Sequence, residues 1–263
     1  MASDVDTRET SGPADPGKLE GVEKAGEKPT TTRRKPWLLE LYGTAVGKKY
    51  VMAITGIIGM GYVFAHMIGN LKVYFGPESI NHYGEWLRDS LGYPILPETY
   101  TLWLLRIVLI VALVLHVVAS YQLTQMNRRS RSVTYQSHRD YVAATFAART
   151  MRWTGIIVLL FIGYHLADFT WGWEVVNPDF ERGAVYNNMV ASFSNPWVSA
   201  WYIGANLALG VHLYHGAWSL FQSLGVNSQR FNPWRRWFAT GFTLAVIVPN
   251  ISFPISVLTG IVG

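Results

Sequence analysis

The chain has 263 residues, of which 50% are hydrophobic and only 15% charged, and it contains no cysteine. That composition excludes disulfides, a thiolate nucleophile, a c-type haem attachment and any iron–sulfur cluster held by this chain alone. The net charge of +5 does not point to nucleic acid, because the basic residues lie between apolar runs and form no groove with interleaved aromatics.

Residues 1–35 are rich in Gly, Pro, Glu, Thr and Lys and carry almost no large apolar side chains. They are expected to form a disordered cytoplasmic tail, and no apolar stretch makes them a signal peptide. Residues 36–49 open with Pro36-Trp37-Leu38-Leu39-Glu40-Leu41-Tyr42, a short amphipathic piece expected to lie on the membrane surface. Residues 50–263 are expected to form a five-helix transmembrane domain. The predicted spans are Tyr50 to Tyr74, Thr101 to Thr124, Met151 to Gly172, Trp197 to Leu224, and Trp237 to Ile261, the last bent near Pro249 and Pro254. Each is long enough to cross ~30 Å of hydrocarbon, and in lipid the backbone must satisfy itself, so each is a helix. The fold class is therefore all-α integral membrane, with five transmembrane helices.

The loops set the orientation. Arg33, Arg34, Lys35, Lys48 and Lys49 precede the first span; Arg128, Arg129, Arg131, Arg139, Arg149 and Arg152 separate the second from the third; Arg230, Arg235 and Arg236 separate the fourth from the fifth. The other two loops carry mainly acidic charge, including Glu78, Glu85, Asp89, Glu98, Glu174, Asp179 and Glu181. The positive-inside rule puts the N-terminus in the cytoplasm and the C-terminus outside, in a multi-pass protein of the cell membrane. Trp37, Trp153, Trp171, Trp173, Trp197, Trp234 and Trp237 fall at predicted span ends, where an aromatic belt belongs.

Four spans carry histidine: His66, His116, His165, and the pair His212 and His215 one helical turn apart. Titratable side chains at such depth are costly and mark function. Helix rise puts His66 ~24 Å and His165 ~20 Å from the inner boundary, against ~12 Å for His116 and ~10–15 Å for His212 and His215. Two layers result: His66 with His165 outside, His116 with His212 or His215 inside. Facing histidines at two levels of a four-helix bundle are what two bis-histidine b haems need, the iron ligands being His66, His165, His116 and either His212, which is favoured, or His215. Gly59, Gly61, Gly69, Gly163, Gly204 and Gly210 are expected to leave room for the macrocycles. Arg106 is the candidate donor to an outer haem propionate. His82 and His138 fall in predicted loops and are expected to be structural. A lone histidine in an apolar helix is commonly a satisfied core residue; four matched in depth argue against that for the set.

The residues carry a family resemblance. Lys48-Lys49-Tyr50-Val51-Met52-Ala53-Ile54-Thr55-Gly56 with His66-Met67-Ile68-Gly69-Asn70-Leu71, and the stretch His212-Leu213-Tyr214-His215-Gly216-Ala217-Trp218-Ser219, resemble the first and fourth spans of the succinate dehydrogenase cytochrome b subunit, of the single-chain, five-helix, dihaem class. The resemblance runs from Thr44 to Gly263. It implies a membrane anchor for a flavoprotein subunit and an iron–sulfur subunit, passing electrons from succinate to a quinone, expected to be menaquinone. It implies the same ligand pairs, with no flavin or dicarboxylate site on this chain. An alternative cofactor is a Rieske-type [2Fe–2S] cluster with histidines from this chain and cysteines from the partner. By residue type, Ser219, Gln222, Tyr121 and Arg152 qualify for a quinone site at the inner end, and Asp168, Arg106 and Tyr164 at the outer end. Competing readings are a fumarate reductase or other dehydrogenase subunit, a cofactor-free anchor, and a histidine proton relay in a transporter.

Overall fold

The computed structural model describes residues 36–130, 144–226, 228–230 and 232–263. The predicted tail, His138, and the basic residues Arg131 and Arg139 lie outside them. All regular structure among the described residues is helical: α1 (Trp37–Gly43), α2 (Ala45–Asn70), α3 (Pro77–Asp89), α4 (Tyr100–Arg129), α5 (Ala144–Leu166), α6 (Val185–Phe193), α7 (Pro196–Ser223) and α8 (Asn232–Leu258), with a 3-10 turn after α2 (Leu71–Phe75) and a π-helical turn after α5 (Ala167–Trp171).

The first span begins earlier than expected because Thr44 caps it. Its side chain accepts from the Gly47 amide at 3.0 Å, satisfying a first-turn donor. Lys48 is buried, and its ammonium lies 2.6 Å from the Tyr42 carbonyl and 3.2 Å from that of Gly43, closing the C-terminus of α1. A side chain at Gly47 would collide with the Leu41 carbonyl, which explains glycine there. The amphipathic Trp37–Gly43 is a helix with no buried residue, consistent with a surface segment.

Four helical stretches are long and apolar enough to cross a membrane: Ala45–Phe75, Tyr100–Arg129, Thr150–Trp171 and Asn232–Leu258. The fifth expected span, α7, has 28 residues, ample length, but is not among those four. The cause is composition: Trp197, Trp201, Tyr202, Asn206, His212, Tyr214, His215 and Trp218 dilute its apolar content. On α4 the side chains from Trp103 to Val118 are largely exposed aliphatics, a surface suited to lipid rather than water. The expected belt tryptophans are all exposed, from 51% at Trp171 to 84% at Trp197.

α8 keeps its helix through Pro249 and Pro254. Ser252 Oγ donates to the Pro249 carbonyl at 2.7 Å and Ser256 Oγ to that of Phe253 at 2.8 Å, two side-chain bonds back onto the helix near its prolines.

The two acidic loops are more structured than a loop reading allows. α3 and α6 form a cap at the end where α2 and α5 finish, and His82, expected in a loop, stands on α3. Pro77 at the first turn and an amphipathic pattern explain α3. Asn81 Oδ1 accepts from the Tyr186 amide at 3.0 Å, tying α3 to α6. Asn188 closes the preceding loop on Glu181, accepting at 2.8 Å and donating at 2.7 Å. Ile80, Met189 and Phe193 of the cap share a core with Val73, Tyr202, Phe253 and Val262.

Candidate metal centres

The closest helix packing joins α2 to α4, α5 to α7 and α7 to α8. The histidine pairs bridge other combinations. His66 of α2 meets His165 of α5, with ring centroids 5.7 Å apart and planes at 82°. His116 of α4 meets His212 of α7, at 6.3 Å and 58°. The imidazoles thus reach across between helices whose backbones stand apart. His215, the other candidate inner ligand, does not take this position; its Nδ1 is buried without a hydrogen-bond partner.

Each of the four paired imidazoles has its Nδ1 engaged by a side chain. Thr55 Oγ1 lies 3.0 Å from His116 Nδ1. The single hydroxyl proton of Thr55 already goes to the Val51 carbonyl at 2.7 Å, so towards His116 the oxygen accepts. That holds His116 as the Nδ1–H tautomer and leaves Nε2 as a lone pair. Thr154 repeats the arrangement at 3.5 Å from His212 Nδ1 while donating to the Thr150 carbonyl at 3.1 Å. His165 Nδ1 lies 3.4 Å from the Tyr202 hydroxyl, whose proton goes to Asp168 Oδ2 at 2.7 Å. Asn70 Nδ2 lies 3.2 Å from His66 Nδ1, an approach in which the amide N–H donates to the ring; turning the amide end for end would let its carbonyl oxygen accept there and free Nε2.

This set fits iron held between two imidazoles. Two imidazoles sharing one metal at ~2.0–2.1 Å through ring nitrogens have centroids ~6 Å apart. The observed 5.7 and 6.3 Å straddle that value. Among the described residues no three His, Cys, Asp or Glu side chains converge as a metal site. Imidazoles in twos suit an iron whose remaining positions come from a macrocycle. The glycines divide into two groups. A Cβ at Gly59, Gly61, Gly163 or Gly204 would meet no atom within 4 Å, as room beside the helix requires. At Gly69 and Gly210 it would press on the Tyr83 ring at 2.6 Å and Ile247 at 3.1 Å, so those two serve helix packing and not the space expected of them. Gly56 and Gly155 instead let the inner imidazoles approach: a Cβ there would lie 3.7 Å from His116 Cε1 and 3.4 Å from His212 Cε1.

The polar candidates separate as clearly. Asp168, expected by type at an outer quinone site, is fully buried and accepts from Ser192 and Tyr202 at 2.7 Å and from Asn177 at 3.0 Å. Its oxygens are committed to protein donors. Tyr164 packs edge-on against Trp201 and Tyr202. Arg106 is exposed, its guanidinium over the Trp103 ring at 5.1 Å. At the inner end a cavity of about 530 Å³ is lined by Trp218, Gln222, Gln229, Asn232, Arg236 and neighbours. Of the four inner quinone candidates Gln222 lines it; Ser219 donates to the Gly216 carbonyl at 3.2 Å, and Tyr121 and Arg152 are exposed elsewhere. Sequence reasoning missed Thr55, Thr154 and Tyr202 as partners of the imidazoles. Its available signal was weak: lone hydroxyls within apolar helices. Asn70, one turn after His66, was readable.

The family model for the succinate dehydrogenase/fumarate reductase transmembrane subunit matches residues 125–249. Over that stretch the chain is similar to this family. The match includes His165, His212 and His215 and stops short of His66 and His116, which precede it. No curated protein and no solved structure matches the chain. The match and the four apolar helices together support an integral membrane protein.

Proposed function

We propose that the chain anchors a flavoprotein subunit and an iron–sulfur subunit to the membrane and carries electrons from the latter to a quinone. Two b haems would do this, one held by His66 and His165, the other by His116 and His212. The observation that carries the reading is the pair of imidazole couples at metal-bridging separation, each imidazole engaged at Nδ1. When bound, haem supplies one-electron storage. The chain's own residues orient the ligands, favour an unprotonated Nε2 on His116, His165 and His212, and exclude water from the apolar bundle. α7 is the fifth span in this reading, its polar side chains turned to the interior it helps to build. The basic inner side, with Arg128, Arg129 and Arg236, is the docking face, so the N-terminus is cytoplasmic and the C-terminus external.

The inner cavity beside Gln222 is the quinone candidate; about 530 Å³ suits a ring and part of its tail. Arg106 remains the candidate for an outer propionate. A cluster shared with a partner is disfavoured by the duplication, since two His couples at different depths suit two equivalent cofactors better than one docked cluster.

The test is a reduced-minus-oxidised spectrum of the purified complex with a pyridine haemochrome assay. Two b haems per chain are expected. Absence of haem, with a Rieske-type paramagnetic resonance signal instead, would overturn the proposal.

A further inference from the structure

The two histidine couples are held by different chemistry. In the inner couple each Nδ1 meets a threonine hydroxyl that ends on its own helix carbonyl, Val51 for Thr55 and Thr150 for Thr154. Those partners are neutral. In the outer couple His165 meets the Tyr202 hydroxyl at 3.4 Å, and Tyr202 donates at 2.7 Å to Asp168. Asp168 is fully buried, and Ser192 and Asn177 supply its other donors. Aromatic rings of Phe161, Phe169 and Tyr202 surround the His165 ring at 5.5–6.0 Å and limit its rotation.

With three donors on its two oxygens Asp168 takes more hydrogen bonds than the single acceptor oxygen of an amide could, and its burial in an apolar bundle makes that carboxylate costly to hold. The π-helical turn that begins at Ala167 carries Asp168 directly after the ligand helix, three residues from His165. Local helix irregularities of this kind are common at functional sites.

We propose that Tyr202 and Asp168 form a positioning relay for His165: the hydroxyl accepts the Nδ1–H, the carboxylate holds the hydroxyl, and the outer ligand becomes more electron-donating than either inner one. The inference rests on the haem reading above. Hydrogen bonding of a ligand's distal N–H to an acceptor raises its basicity. A more basic axial ligand stabilises the ferric state, so cutting the relay makes the outer haem easier to reduce.

The experiment is a redox titration of the intact complex, following the two haems separately by absorbance and by low-spin ferric resonance. Tyr202→Phe removes the acceptor. The outer haem's ferric-to-ferrous ratio at fixed ambient potential is expected to fall about tenfold, which is 59 mV for one electron. The inner haem is expected to stay put, serving as an internal control. Asp168→Asn keeps the shape and removes the charge; a smaller shift in the same direction is expected, and it decides the matter if Tyr202→Phe does not assemble. Ser192→Ala removes a donor to the same carboxylate but lies off the path to His165, and is expected to leave the outer haem near its original potential. Two haems with both potentials unmoved in Tyr202→Phe and Asp168→Asn overturn the relay alone. An equal shift in Ser192→Ala overturns it in favour of a general packing role. Unaltered complex without haem overturns the relay and the function together.

Discussion

Thr55→Val exchanges a hydroxyl for a methyl of nearly the same volume, so packing around it is preserved. What changes is the partner of His116. Thr55 Oγ1 stands 3.0 Å from Nδ1 and has already given its proton to the Val51 carbonyl. Valine takes that acceptor away and leaves the buried imidazole only the Met52 backbone as a partner, at a cost of about 1–3 kcal/mol. The imidazole can escape that cost by turning or by moving its proton to Nε2, and either removes the lone pair a metal needs. Losing such a partner lowers metal affinity by about 10–100-fold, the same range expressed as a ratio. Thr154 lies farther from its imidazole, 3.5 Å from His212 Nδ1. Thr154→Val is therefore expected to have the same sign and a smaller effect. The assay is haem loss from detergent-solubilised complex to excess apo-globin, timed in the Soret region with the outer haem as reference. Equal inner-haem retention in wild type and Thr55→Val would refute the tautomer argument. A larger effect at Thr154 than at Thr55 would refute the distance argument.

Further outcomes follow from the same geometry. His212→Ala is expected to halve the haem content, leaving the outer haem, whereas His215→Ala keeps both, because the ring facing His116 at 6.3 Å is that of His212; the haemochrome assay on both variants decides. Gly155→Leu puts a branched side chain where even a Cβ would sit 3.4 Å from His212 Cε1, so the inner haem is expected to be lost while the outer stays. Gln222→Ala is expected to raise the quinone KM several-fold with little change in haem content, and unchanged quinone kinetics would move the site away from the inner cavity. Gly69→Val collides with the Tyr83 ring and is expected to loosen α3, read as faster proteolysis between residues 76 and 99 with both haems retained.

Helices were legible because they are local. Apolar runs of bilayer length, Lys and Arg between them and tryptophans at their ends gave five expected spans without any contact information, and four of them are helices long and apolar enough to cross a membrane. A hydropathy average leaves α7, expected as a span, outside those four, because its rings and histidines look polar. The pairing of layers was legible as well, since rise per residue turns sequence position into depth. His66 opposite His165 and His116 opposite His212 are depth matches before they are contacts.

Sequence by itself determined the membrane class, and helix rise turned it into two expected histidine depths. Only the tertiary structure shows that His212, and not His215 three residues on along the same helix, is the ring that faces His116. It alone turned Asp168 from a candidate quinone donor into a committed acceptor, and Gly69 and Gly210 into packing sites. The physical reason is range. Thr55 and His116 are 61 residues apart, Thr154 and His212 58, His165 and Tyr202 37. Hydropathy and helical period describe each helix alone, while a hydrogen bond across a bundle depends on how two helices rotate about their axes, and packing sets that rotation.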